Sequence, residues 1–296
     1  SIDRSGQVQQ VFIHCATTTD KYLSVIKHLY MKTEYFYWDL DKSKFKGVLY
    51  DSINDYFLND HGFDTWEDFE GADPHVAYAH LAYVRFNSLE QQFIDLRVIP
   101  QMLGVEAIPL KSQIMDINRY DWLKSIVDLS LFRFSSLRDI AFHFVNEVLC
   151  LELEDFKLNM KQLNKCLREN HSEILHALKE IDSVGAELRA DRNERAHKGF
   201  CNLYTGDDQR FKHMAYMEHS KIPIVASSPY DLNDVYQDSR EKIYDVVVSE
   251  VTRALEAVTL LADNMYPYYR DRYQSLAQGS RSGASPHFTR YHASDC

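Results

Sequence analysis

Apolar residues recur three and four positions apart along most of this chain, the period of helices that bury one face. The clearest series follows Asp73-Pro74, read as an N-cap and a first helical residue, after which Ala79, Ala82, Phe86, Leu89, Phe93 and Leu96 fall on one side. That spacing predicts a helix of about 25 residues ending near Pro100. In SSLRDIAFHFVNEVL, Ser135 or Ser136 is placed to cap, with Leu137, Ile140, Phe144 and Val148 lining one face. Residues 153–197 hold one or two helices with Ile174, Leu178, Ile181 and Leu188 inward, and Gly199 is the natural stop. SSPYDLND marks the approach to a last helix, expected from about 239 to 264, with Ile243, Val247, Val251, Ala254, Val258 and Leu261 on its inner face. Ahead of Asp73, TTTD offers a cap before KYLSVIKHLY, and the Tyr-, Trp- and Asp-rich stretch beyond it predicts short helices and loops.

The predicted class is all-α. Only 10 Gly and 7 Pro punctuate 296 residues, which favours few turns and long elements. The expected organisation is a mainly helical N-terminal region over 1–115, a helical bundle over 116–268 and a flexible Gly/Ser-rich tail over 269–296.

Charge and cysteine content narrow the setting. The formal net charge of -11 disfavours a broad nucleic-acid-binding surface, so contact with a polyanion would have to be local. Five scattered cysteines without ligand-like spacing imply neither a disulfide framework nor a zinc site, and fit a reducing cytoplasm. With no apolar run long enough for a membrane span and no secretory signal pattern, no membrane partner is expected.

Several chemistries lack their first requirement. DLDKSKFKGVLY opens like a calcium loop but has Lys44 where the turn needs Gly and Tyr50 where the bidentate Glu belongs, and it reads as a polar surface stretch. Nucleotide-binding glycine loops, the hydrolase Ser elbow and HExxH are missing from the sequence. His75 and His80 lie five apart, on different helix faces, so no metal ligation and no cofactor are expected.

DRNERAHKG, residues 191–199, is different: it gathers basic groups at a predicted helix end in an acidic chain. Arg192 follows Leu188 by four, so on a continuing helix it shares the packed stripe, where a guanidinium needs an anion or a carboxylate. An Arg and a His five apart, with a polar residue after the Arg, occur also at Arg138-Asp139 and His143, but His143 sits between Phe142 and Phe144 in mid-helix and reads as a packed or helix-flanking histidine. A third pair, Arg281 and His287, falls in the predicted tail.

Arg192-Asn193-Glu194-Arg195-Ala196-His197 resembles the signature of the HEPN superfamily, all-α bundles with this motif near the end of an inner helix. The resemblance implies a metal-independent endoribonuclease of toxin–antitoxin or antiphage type, acting as a homodimer whose two motifs form a composite active site on an RNA substrate. It makes Arg192, His197 and Asn193 the catalytic candidates and Arg195, Lys198 and Arg189 the RNA-binding ones. An antitoxin or activating partner is implied with it. Members neutralised by adenylylation carry a Tyr two residues after the His; Gly199 stands there, so that mode of control is not implied. The competing expectation is a non-catalytic helical module binding a nucleotide or a partner protein, which the acidic balance and 19 Tyr residues also fit.

Overall fold

In a computed structural model of the chain, the described residues are 40, 43–57, 71–104, 117–186, 188–189, 205–223 and 231–281. They form α1 (Lys44–Phe57), α2 (Pro74–Leu103), α3 (Arg119–Val148), a 3-10 turn (Asp155–Lys157), α4 (Met160–Leu167), α5 (Ser172–Ser183), α6 (Asp208–His219) and α7 (Leu232–Arg281), with no strand among the described residues. The all-α expectation holds. None of the described helices is long and apolar enough to cross a membrane.

Local chemistry explains where these helices begin. Asn118 starts α3: its Oδ1 accepts the Asp121 N–H at 2.9 Å while its Nδ2 donates to Asp121 Oδ2 at 2.6 Å. Asp207 accepts from the Arg210 N–H at 2.9 Å at the head of α6, and Asp231 accepts from the Asn233 N–H at 2.7 Å at the head of α7, within the predicted SSPYDLND approach. At α2 the Pro74 start holds, but Asp73 caps with its backbone: its carbonyl accepts the N–H groups of Val76 and Ala77 at 2.9 and 3.1 Å. Pro100 lies inside the last turn, where it removes a single donor while its own carbonyl still accepts from Gly104 at 3.0 Å.

Three sequence expectations require correction. Ser135 and Ser136 cap nothing; they sit mid-helix because Leu123, Ile126, Val127, Leu131 and Phe134 extend the buried face upstream, and Ser136 Oγ donates back to the Phe132 carbonyl at 3.0 Å. DLDKSKFKGVLY is not a surface stretch. Most of it belongs to α1, with Leu40, Phe45 and Leu49 buried, and Ser43 Oγ donating to Asp263 Oδ1 at 3.2 Å. The last helix runs well beyond 239–264 at both ends, from Leu232 to Arg281, since Tyr236 precedes and Met265, Tyr269 and Leu276 prolong the buried face through Pro267. Residues 269–281 are therefore helix rather than tail, and 282–296 lie outside the described residues.

The long α7 packs against α1, α2, α3, α5 and α6. At the centre, the ring of Phe45 from α1 lies 5.2 Å from Phe86 on α2, 5.1 Å from Phe144 on α3 and 5.2 Å from Tyr269 on α7. A boundary at 115/116 thus cuts through a shared hydrophobic core.

Candidate functional site

The segment leading to the basic stretch is built around a break. Helix α5 ends at Ser183, Val184 adopts an extended conformation (ψ 132°), and Gly185 takes φ +68°. A new helical stretch follows, with Ala186, Leu188 and Arg189 helical and the Arg189 N–H donating to the Gly185 carbonyl at 2.9 Å. Glycine is required twice over here: φ is positive, and an added Cβ would stand 2.8 Å from Phe134 Cδ2. Ile174, Leu178, Ile181 and Leu188 are all buried as expected, but two helical segments carry them.

Ion pairs and hydrogen bonds brace the break. Glu250, on the inner face of α7 and 8% exposed, accepts the Gly185 N–H on Oε2 at 2.5 Å. Its Oε1 accepts from Arg253 Nη1 at 2.8 Å, and Arg253 Nη2 donates to Ser183 Oγ at 2.8 Å. A hydrogen bond to a charged, buried acceptor contributes about 1.5–3 kcal/mol, which holds this turn to α7. From α3, Arg138 reaches Asp182 at 3.8 Å while forking onto Asp139 at 2.9 and 3.0 Å.

Arg189 is the sequence-predicted site residue that the described structure includes. It is half-buried and turns back on its own chain, Nη2 donating to the Asp182 carbonyl, while Nη1 is buried without a hydrogen-bond partner. Burial pulls its guanidinium pKa below the ordinary value; Asp182 opposes that and Arg138 adds to it. Arg192, Asn193, Arg195, His197 and Lys198, with the predicted stop at Gly199, lie outside the described residues.

The rival pair has its side chains engaged elsewhere. Arg138 faces Asp182 at the end of α5, whereas His143 Nδ1 lies 3.7 Å from Asp155 Oδ1 of the 3-10 turn, so the two meet carboxylates on different segments. The ring of His75 packs edge-on to Tyr273 at 5.6 Å, and burial lowers the pKa of His80. No cluster with metal-binding composition occurs among the described residues.

Sequence reasoning missed Gly185, Glu250 and Arg253. A signal for Glu250 was present: it lies three residues after Val247 and four before Ala254, on the apolar face of the last helix, where an acid needs a partner.

A family model of Cthe2314-like HEPN domains matches residues 85–259, more than half of the chain, from within α2 to well along α7. The match takes in the Arg192–His197 motif and begins earlier than the expected bundle limit of 116. Neither the curated proteins nor the solved structures yield a match. With an all-α bundle and a family match that spans its inner helices, the chain belongs to the HEPN superfamily, in its Cthe2314-like branch.

Proposed function

We propose that this chain is a metal-independent endoribonuclease, with Arg192 and His197 at the scissile phosphodiester. The observation that carries the reading is the Arg192-Asn193-x3-His197 motif inside the family match, starting three residues beyond Arg189. The ribose 2′-hydroxyl attacks the adjacent phosphorus and the bond to the 5′ oxygen breaks, leaving a 2′,3′-cyclic phosphate and a 5′-hydroxyl. The attacking hydroxyl must lose a proton and the leaving oxygen must gain one, while negative charge builds on the phosphorane.

An imidazole with an ordinary pKa near 6.5 suits either proton role, which assigns those transfers to His197. Arg192 supplies a permanent charge and a planar fork for the equatorial oxygens. Asn193 orients the histidine or a phosphate oxygen. Arg195 and Lys198 hold the RNA backbone, and Arg189, with one arm on the Asp182 carbonyl, adds its charge at the base of the same segment. Since one histidine cannot be acid and base in a single step, the chemistry favours a homodimer with two copies of the motif at one composite site. In a cell such an activity serves as a toxin or antiphage effector, restrained by an antitoxin or released by an activator.

The test is incubation of the purified chain with total RNA in EDTA, followed by mapping of the ends. Cyclic-phosphate ends that vanish in Arg192→Ala and His197→Ala, both melting like wild type, support the enzyme. A folded chain that never cleaves, and whose expression is no more toxic than that of His197→Ala, points instead to the non-catalytic helical module.

A further inference from the structure

We propose that Glu250 is a positioning residue that sets the direction in which the chain leaves α5 toward Arg192 and His197. The inference rests on the nuclease reading above for its catalytic consequence, and on geometry for the rest. A buried carboxylate that has given up water must be answered by donors, and Glu250 is answered by two: the Gly185 N–H at 2.5 Å and Arg253 Nη1 at 2.8 Å. Arg253 in turn holds Ser183 Oγ at 2.8 Å, so residues on both sides of the turn, Ser183 and Gly185, are bonded to α7.

The turn has little freedom to choose another course. Gly185 has φ +68° and lies so close to Phe134 that a Cβ would reach within 2.8 Å of its ring, which fixes the backbone against α3 on one side. Glu250 fixes it from the other. The Arg189 N–H on the Gly185 carbonyl makes Gly185 the first acceptor of the next helical stretch. Any rotation of the Gly185 peptide therefore redirects that stretch. Arg192 and His197 follow Arg189 by three and eight positions in sequence, so the course set at residue 185 begins the segment that carries them.

The experiment compares wild type, Glu250→Ala and Glu250→Gln by RNA cleavage kinetics and by amide hydrogen exchange over residues 185–189. In Glu250→Ala, kcat falls about tenfold or more with KM nearly unchanged, since misplacement by about 1 Å is enough for a loss of that order. Its Gly185 amide exchanges about tenfold faster or more, the consequence of losing a hydrogen bond to a charged acceptor. Glu250→Gln keeps an oxygen for the Gly185 N–H but turns an NH2 donor toward Arg253, so it recovers the protection of Gly185 and only part of kcat. A cooperatively melting Glu250→Ala with wild-type kcat overturns the proposal. If Glu250→Ala does not fold, Glu250→Asp, which withdraws the carboxylate by one methylene, carries the same comparison, and wild-type kcat there overturns it equally. Should wild type itself cleave no RNA, the nuclease reading fails separately; exchange at 185–189 then decides, and a folded variant with wild-type protection of Gly185 sinks the assignment.

Discussion

Glu250 on α7 accepts the backbone N–H of Gly185 at 2.5 Å across 65 positions of sequence, which ties the longest described helix to the turn where the chain leaves α5. Gly185→Ala tests that turn. Alanine at φ +68° costs about 1–2 kcal/mol from the left-handed backbone. Crowding Phe134 adds about 1–3 kcal/mol. Gly47, inside α1 with nothing within 4 Å of the place a methyl group would take, is the control: Gly47→Ala raises stability by about 0.5–1 kcal/mol. Urea midpoints decide; equal stability of Gly185→Ala and wild type contradicts the geometry.

Phe45→Ala lowers stability by about 3–5 kcal/mol, because it empties a fully buried site shared by α1, α2, α3 and α7. The melt stays a single transition. Two transitions, with only the lower one shifted, would show that α1 lies outside the common core.

Stability falls as pH drops from about 7 toward 5. Burial holds the imidazoles of His80 and His171 below their ordinary pKa, with Glu173 pulling His171 the other way. The unfolded chain then takes up protons near pH 6.5 that the folded chain refuses, so the contribution is complete above about 6.5 and is lost as pH falls through the folded values. Glu173, lowered first by the hydrogen bond from Tyr268, has the same sign at more acidic pH. Denaturant midpoints at pH 7.5 and 5.5 read the slope, and the double variant His80→Gln, His171→Gln flattens it. A midpoint that climbs on acidification contradicts the assignment.

His143→Ala retains RNA cleavage, whereas His197→Ala loses it. The long contact between His143 and the exposed Asp155 limits the stability cost to about 1 kcal/mol or less. Cleavage that depends on His143 and not on His197 transfers the chemistry to the other motif.

How much of this was legible in the sequence varies by element. The stripe Ala79, Ala82, Phe86, Leu89, Phe93 and Leu96 is buried throughout, because a long helix with one apolar face advertises itself. Helix ends were less visible: Ser135 and Ser136 look like caps, but the apolar face upstream of them overrides that local preference. The break at Val184-Gly185 escapes periodicity for a geometric reason. Ile181 and Leu188 are seven residues apart, about two helical turns, so their phase is the same whether or not the helix is continuous between them. At the candidate site, Arg189 was legible as a cation, but not as one folded back on the Asp182 carbonyl. Glu250 was legible as an acid on an apolar face with Arg253 three residues on; its other partner, a backbone amide 65 residues away, has no sequence signature.

The 50-residue α7 is also the last of the described helices to be made. Phe45, Phe86 and Phe144 emerge from the ribosome long before Tyr269, the ring that closes their cluster. Until that late helix is synthesised, the apolar faces of α1, α2 and α3 lack their lid, and a nascent chain in this condition is a natural client for a holdase and prone to association with its neighbours. Slow translation of residues 232–281 would lengthen that exposure, so yield of native protein should depend on codon choice there more than over the helices that precede them.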